Sequence, residues 1–385
     1  MAVTRVPVAR EILEWAVHRS AIDSDRLYRL FPAWDEWTSG EKHPTMKQIE
    51  HIARATRTPA GYFFLHEPVE IPLPIPDFRR MAVRAQTAPS PDLLEVIHTA
   101  QLRQSWYREN IRAEIQDPLP IVGSVALTDD PLQIAEKIRQ LLSLSEADRL
   151  HTSTFSEMVR LLRDRIEGTG VLVFTSGIVG SDTHRALDPE EFRGFALSDD
   201  YAPVIFVNGA DSKAAQIFTL IHEYVHVLLG STGLSEVGIE LSDSSTEVWC
   251  NRVAAETLVP AEELLWRYRS ENVLQEEIRS LSRYFKVSTL VILRRLYDNR
   301  RLSSETYHHM YGEELDRSRH RESRPINSGG DFYNSALMRT GYKFAEAVLS
   351  SAWEGRTSFT EAMRMLGIRR MATLRTMSHR LAVYG

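Results

Sequence analysis

The sequence predicts an α+β chain: a small helical domain at the amino terminus, a central domain with a short-stranded sheet and a histidine-bearing helix, and a helical domain at the carboxy terminus. Three observations carry this. Apolar residues recur at helical spacing through both ends of the chain, three β-rich runs are confined to residues 171–208, and the helix after them contains His222-Glu223-Tyr224-Val225-His226. With 385 residues and 43% hydrophobic content the chain can bury two or three cores. The expected divisions are 1–68, a connector with a long helix at 69–120, a central domain at 121–305 and a last domain at 306–385.

Composition narrows the class. The single cysteine excludes a disulfide framework and fits a reducing compartment. Met1-Ala2-Val3-Thr4-Arg5 lacks a secretory apolar core and no apolar run reaches membrane-spanning length, so a cytoplasmic protein without a membrane partner is expected. A net charge of -6 argues against broad nucleic-acid coating, although a small domain can still carry a basic face.

At the amino terminus, residues 9–17 and 23–30 predict two short helices, Thr45 and Gln48 form a capping box for a third, and Thr58-Pro59 opens another that runs to Phe64. Residues 37–53 resemble the back half of a Cro/repressor-type (XRE) helix-turn-helix domain. DNA is the partner which that resemblance implies. Where the recognition helix should lie, residues 30–37 carry a proline, two tryptophans and two acids but none of the Arg, Lys, Asn or Gln side chains that read base edges. Operator binding therefore stands beside a second reading, a module that binds protein or braces the rest of the chain.

Ile71-Pro72-Leu73-Pro74-Ile75-Pro76 alternates proline with apolar residues and predicts an extended connector. A long helix follows from Pro91 to about Asp117, with Leu94, Ile97, His98, Leu102 and Trp106 on its buried side. His98 in that stripe reads as packing. Helices at 131–142 and 155–167 precede strands at 171–175, 194–198 and 204–208, the last two joined as a hairpin. Residues 195–197 are expected to form the open edge of the sheet, where an extended peptide could add as a strand.

The next helix starts after the turn residues Asn208-Gly209-Ala210-Asp211, with Asp211 as cap, and stops at Gly230. On it His222 and His226 stand one turn apart on one face, so both can ligate one zinc ion, and Glu223 projects beside the metal toward water. The bland alternative is a pair of histidines hydrogen-bonded in a core. A catalytic zinc needs a third protein donor, and Glu247 supplies one from a second helix closed by Pro260. Ser244-x-x-Glu247 also fits a capping box, so ligand and cap both remain open for Glu247. Asn251, one turn on, either supports a ligand or is a polar group between helices, whereas Glu256 falls on the opposite side.

Residues 218–226, 247–251 and 254–260 together resemble the ImmA/IrrE family of metallo-endopeptidases, over roughly residues 120–300. The resemblance implies a minimal zincin, gluzincin-like, in which His222, His226 and Glu247 bind Zn2+ and Glu223 is the general base. It also implies a protein substrate, a repressor or antitoxin-like regulator. The chain departs from the family at Cys250 and Val253, where alanine and phenylalanine are more usual. The competing class is a DNA-binding regulator or antitoxin with the zinc fold as scaffold. A cationic or phenolic group should steady the oxyanion, with Tyr201 and Arg252 as candidates.

Beyond Pro260, residues 281–296 predict two helices meeting at a Val-Ser turn, and 316–324 read as a mixed-charge exposed linker. His308-His309 lacks ligand spacing. Residues 328–385 predict a last helical unit, with Phe332, Phe344, Val348, Leu349 and Trp353 as its core.

Overall fold

The structure is a computed structural model. It describes residues 4–20, 22–77, 89–112, 117–234, 245–322 and 332–383, with backbone only at 111–112 and 318–322. Two compact units are present: Met1–Pro74 with Val83–Ile97, and Ile75–Ala82 with His98–Gly385.

The first unit contains α1 (Arg10–Ser20), α2 (Ser24–Leu30), α3 (Trp34–Ser39) and α4 (Met46–Thr56), then a 3-10 turn, Ala60–Phe64, where an ordinary helix was expected. The predicted capping box is formed, with Thr45 Oγ1 accepting from Gln48 N and Gln48 Oε1 from Thr45 N. Phe31, Trp34 and Trp37 are buried against Ile12, Leu13 and Ile49. The aromatic residues of 30–37 thus form core, and α3 exposes Asp35 and Ser39.

Helix α5 (Pro91–Arg112) begins in the first unit and ends in the second. Its buried residues are Leu93, Leu94, Val96, Ile97, Ala100 and Tyr107, while His98 and Leu102 are exposed. The expected stripe was therefore rotated by about one residue, an error to which a helix with apolar residues on several faces is prone.

The second unit is built around a mixed sheet of β1 (Leu172–Ser176), β2 (Gly194–Leu197), β3 (Val204–Asn208) and β4 (Gly233–Leu234), in the order β1-β3-β2-β4. β1 runs parallel to β3, and β2 is antiparallel to both β3 and β4. Residues 195–197 are therefore not an open edge: β4 covers Phe195 and Ala196. A two-residue strand is too short to leave a periodic signal, which is why the sequence hides it.

Strand side chains alternate across the sheet. Val173, Ala196, Ile205 and Val207 face a core shared with α8 (Phe155–Gly168) and α9 (Lys213–Leu228). On the other face Phe195 stacks on Phe206, and Phe174 meets Phe344 of α16 (Tyr342–Trp353). Covered on both faces, the strands read as continuous apolar runs. The remaining helices are α6 (Pro131–Leu141), α7 (Glu146–His151), α10 (Ser245–Leu258), α11 (Ala261–Arg267), α12 (Leu274–Phe285), α13 (Thr289–Asp298), α14 (Ser304–Glu322), α15 (Phe332–Thr340), α17 (Phe359–Met365) and α18 (Met371–Arg380). α14 runs through most of the expected linker, supported by ion pairs from Arg317 to Glu313 and Glu314 one turn back.

The carboxy-terminal helices pack directly on β1. Arg163 of α8 is fully buried and contacts Met338 of α15, and Arg103 donates to the carbonyls of Arg339 and Met365 while lying over Phe174 and Phe344. Burial, with Arg339 nearby, lowers the Arg103 guanidinium to about 10. Phe332 was expected in this core but is 53% exposed at the helix start. Phe344→Ala is expected to cost about 3–5 kcal/mol, and Phe332→Ala to stay within about 0.5 kcal/mol, in denaturant titration. Equal midpoints for the two variants would refute this packing.

Candidate metal centre

The elements that build the site follow from local sequence. Ser212 caps α9, its hydroxyl accepting from Ala215 N; Asp211, the expected cap, instead accepts from Ser212 N and lies 3.5 Å from Arg193. Every residue from Gln216 to Leu228 is buried, so α9 is enclosed on all sides. It ends at Gly230, whose φ of +68° and approach to Gly123 leave no easy place for a side chain. α10 crosses it with buried Cys250, Val253 and Ala254. A small residue at 254 fits that crossing, where helix backbones come close.

These two helices bring the predicted residues together. His222 Nε2 and His226 Nε2 are 3.1 Å apart. Glu247 completes the group, with Oε2 3.1 Å from His222 Nε2 and Oε1 3.1 Å from His226 Nε2. All three side chains are buried, and among the described residues they form the one His/Cys/Asp/Glu group whose donor atoms converge closely enough for a metal ion. Neither Glu247 oxygen has a well-formed hydrogen bond, and His222 Nδ1 has none. A carboxylate and two imidazole nitrogens that converge at this distance form a group that could hold a metal ion. The spacing suits a divalent ion, whose bonds to such donors run about 2.0–2.2 Å. This arrangement favours Glu247 as ligand over Glu247 as cap; Ser244, the other half of the expected capping box, lies outside the described residues.

Electrostatics agree. Burial raises the Glu247 carboxyl, but His222 and His226 outweigh it and hold the group at about 2. Burial lowers the His226 imidazole, with His222 adding to the effect and Glu247 opposing it. At neutral pH the pair therefore presents an ionised carboxylate and a neutral imidazole, the protonation states that a metal requires.

Glu223 is also fully buried, on the same helix. Its position is marked by Gly194: a Cβ built there would lie 3.1 Å from Glu223 Oε1 and 2.6 Å from Thr219 Cγ2. The first residue of β2 thus passes directly over the glutamate, and only glycine leaves it room. Sequence reading missed Gly194, although a glycine opening a strand is the usual mark of close backbone approach. It also read Cys250 as a packing variant. Cys250 Sγ lies 3.9 Å from His226 Nδ1, and burial together with Glu247 and Glu223 pushes its thiol well up.

Asn251 stands one turn beyond Glu247 with its Oδ1 buried and without a partner among the described residues. Glu256, on the far side of α10, pairs with Arg295 of α13. Of the two oxyanion candidates, Tyr201 lies in the β2–β3 turn and Arg252 is exposed beside Asn251.

Acid should empty this centre. Metal binding demands a neutral His226 and an ionised Glu247, so bound metal is expected to fall as pH drops below the ordinary histidine range. Glu247→Gln should lose most metal at neutral pH. Metal content by atomic absorption after dialysis reads both effects, and unchanged loading at pH 4 or in the variant would refute the ligand set.

No curated protein matches the chain. Residues 340–380 match a model described only as a domain of unknown function. Among the described residues, no helix is long and apolar enough to cross a membrane. Residues 166–297, which contain the histidine pair, Glu223 and Glu247, match the M78 peptidase family model, described as the IrrE N-terminal-like domain, and this supports a metallopeptidase-type function.

Proposed function

We propose that the second unit is a zinc-dependent endopeptidase that cleaves a regulatory protein, with His222, His226 and Glu247 as ligands and Glu223 as general base. The observation that carries this reading is the convergence of the three buried donors, with Glu223 buried next to His222 in the chain and its Oε1 close to Gly194. Zinc bound there would supply Lewis acidity to the scissile carbonyl and acidify water. Glu223 accepts the water proton and returns it to the leaving nitrogen. The enclosing core of α8, α9 and the sheet excludes bulk solvent from this exchange. The repressor or antitoxin-like target class is supported by the resemblance of residues 218–226 and 247–260 to the ImmA/IrrE family.

A DNA-binding regulator is the competing class. The amino-terminal unit offers it little, since Trp34 and Trp37 of α3 are spent in the core and Asp35 is exposed. Substituting Glu223→Gln separates the two. The variant should keep about one zinc per chain, lose about 10²–10⁴-fold in cleavage and retain its protein target on co-purification. Wild-type cleavage rates in the variant would overturn the role of Glu223. Saturable, sequence-dependent retardation of the chain's own upstream DNA would favour the regulator.

A further inference from the structure

A cleft of about 690 Å3 opens between α6, α10, α11 and α13. Three of its lining residues are neighbours of the metal-centre residues along α9 and α10. Phe218, one turn before His222, has its ring 6.3 Å from that imidazole and nearly parallel to it. Val248 follows Glu247 directly, and Asn251 lies one turn beyond it. All three line the cleft.

The charges of the cleft are almost entirely committed. Asp130 caps α6 by accepting from Leu132 N, Arg294 is paired with Asp298 at 2.9 Å, and Arg295 is held by Glu256 and the carbonyl of Val259. Glu256 also accepts from Ala261 N. Arg252 alone among the ionisable groups of this lining has no ion pair or hydrogen bond among the described residues. It lies four residues after Val248, so both project on one side of α10. Val248 and Leu132, 45% and 56% exposed, both line this cleft and give it an apolar wall.

We propose that this cleft is a substrate subsite, and that it takes a protein segment in which a bulky apolar side chain is followed or preceded by an acidic one. The apolar side chain packs between Leu132 and Val248, and the carboxylate meets Arg252. The assignment rests on the peptidase reading for its place in a reaction, but the recognition chemistry stands on the cleft alone.

The test uses the full-length, zinc-loaded Glu223→Gln protein to select from a randomised peptide library, and repeats the selection with Arg252→Glu and Arg252→Lys added. Peptides pairing a large apolar residue with Asp or Glu should be enriched roughly tenfold over their lysine counterparts, as an interfacial charge pair allows. Arg252→Glu should reverse that ranking, Arg252→Lys should keep its direction, and zinc content should be the same in all three proteins. An unaltered ranking with Arg252→Glu, or no enrichment of any peptide class, overturns the subsite. Offering the selected peptides to the wild-type enzyme separates the two ideas. Selective binding without cleavage sinks the peptidase reading and leaves the subsite standing; cleavage that is indifferent to Arg252→Glu does the opposite.

Discussion

The interaction on which the rest of this structure depends is the burial of one carboxylate against two imidazoles. An ionised glutamate withdrawn from water is costly unless its charge is compensated, and leaving such a group without its partners destabilises a fold by several kcal/mol, about 3–5 in typical cases. Among the described residues, His222 and His226 are the groups beside the Glu247 carboxylate, and both approach through the nitrogens that a metal would use. Much of the second unit serves that meeting. α9 is buried from Gln216 to Leu228, with β2, β3, α8 and α10 packed against it. α10 must approach closely enough for Glu247 to reach the pair, so its inner face is Cys250, Val253 and Ala254.

Much of this centre was legible because helical geometry is local. The four-residue spacing of His222 and His226, and the placement of Glu247 opposite Glu256, follow from the helical period alone, and the structure puts each where that period says. What the sequence could not show is tertiary. Gly194 gains its meaning only when β2 crosses α9, and β4 exists because residues 233–234 return to β2 from a distant turn. Where two chemically similar residues compete, sequence reasoning chose wrongly: Asp211 and Ser212 can both cap a helix, and the backbone gave the role to serine. Residues 316–322 were misread because mixed charge suggests a linker, yet the same charges at one-turn spacing support a solvated helix.

The two ends of the chain illustrate a related point about polar and aromatic residues. Composition made residues 30–37 look like a poor recognition helix; the structure supplies a positive reason for that composition, because Phe31, Trp34 and Trp37 form the centre of a small core. At the other end, Arg103 and Arg163 are buried cations that carry no chemistry in this reading. They satisfy carbonyls of α15 and the α17 end while their stems and guanidinium planes pack on aromatic rings. Arginine suits such a place because its delocalised charge is weakly hydrated and its plane can stack. The carboxy-terminal helices are therefore joined to the sheet by geometry that lysine could not reproduce.

α10 also separates two tasks on one cylinder. Glu247 points into the core toward the histidines, whereas Val248 and Arg252, rotated from it by about one and five residue steps of 100°, face the cleft. Metal binding and side-chain selection can then vary independently, since a change at 248 or 252 leaves the inner face untouched. Such independence has a physical limit. Asn251 sits between the two faces, and Phe218 touches both His222 and the cleft, so these two positions are where recognition of an occupant can alter the ligand geometry. A bulky side chain pressed against Phe218 would push on the imidazole behind it, and that coupling follows from the ring contact itself.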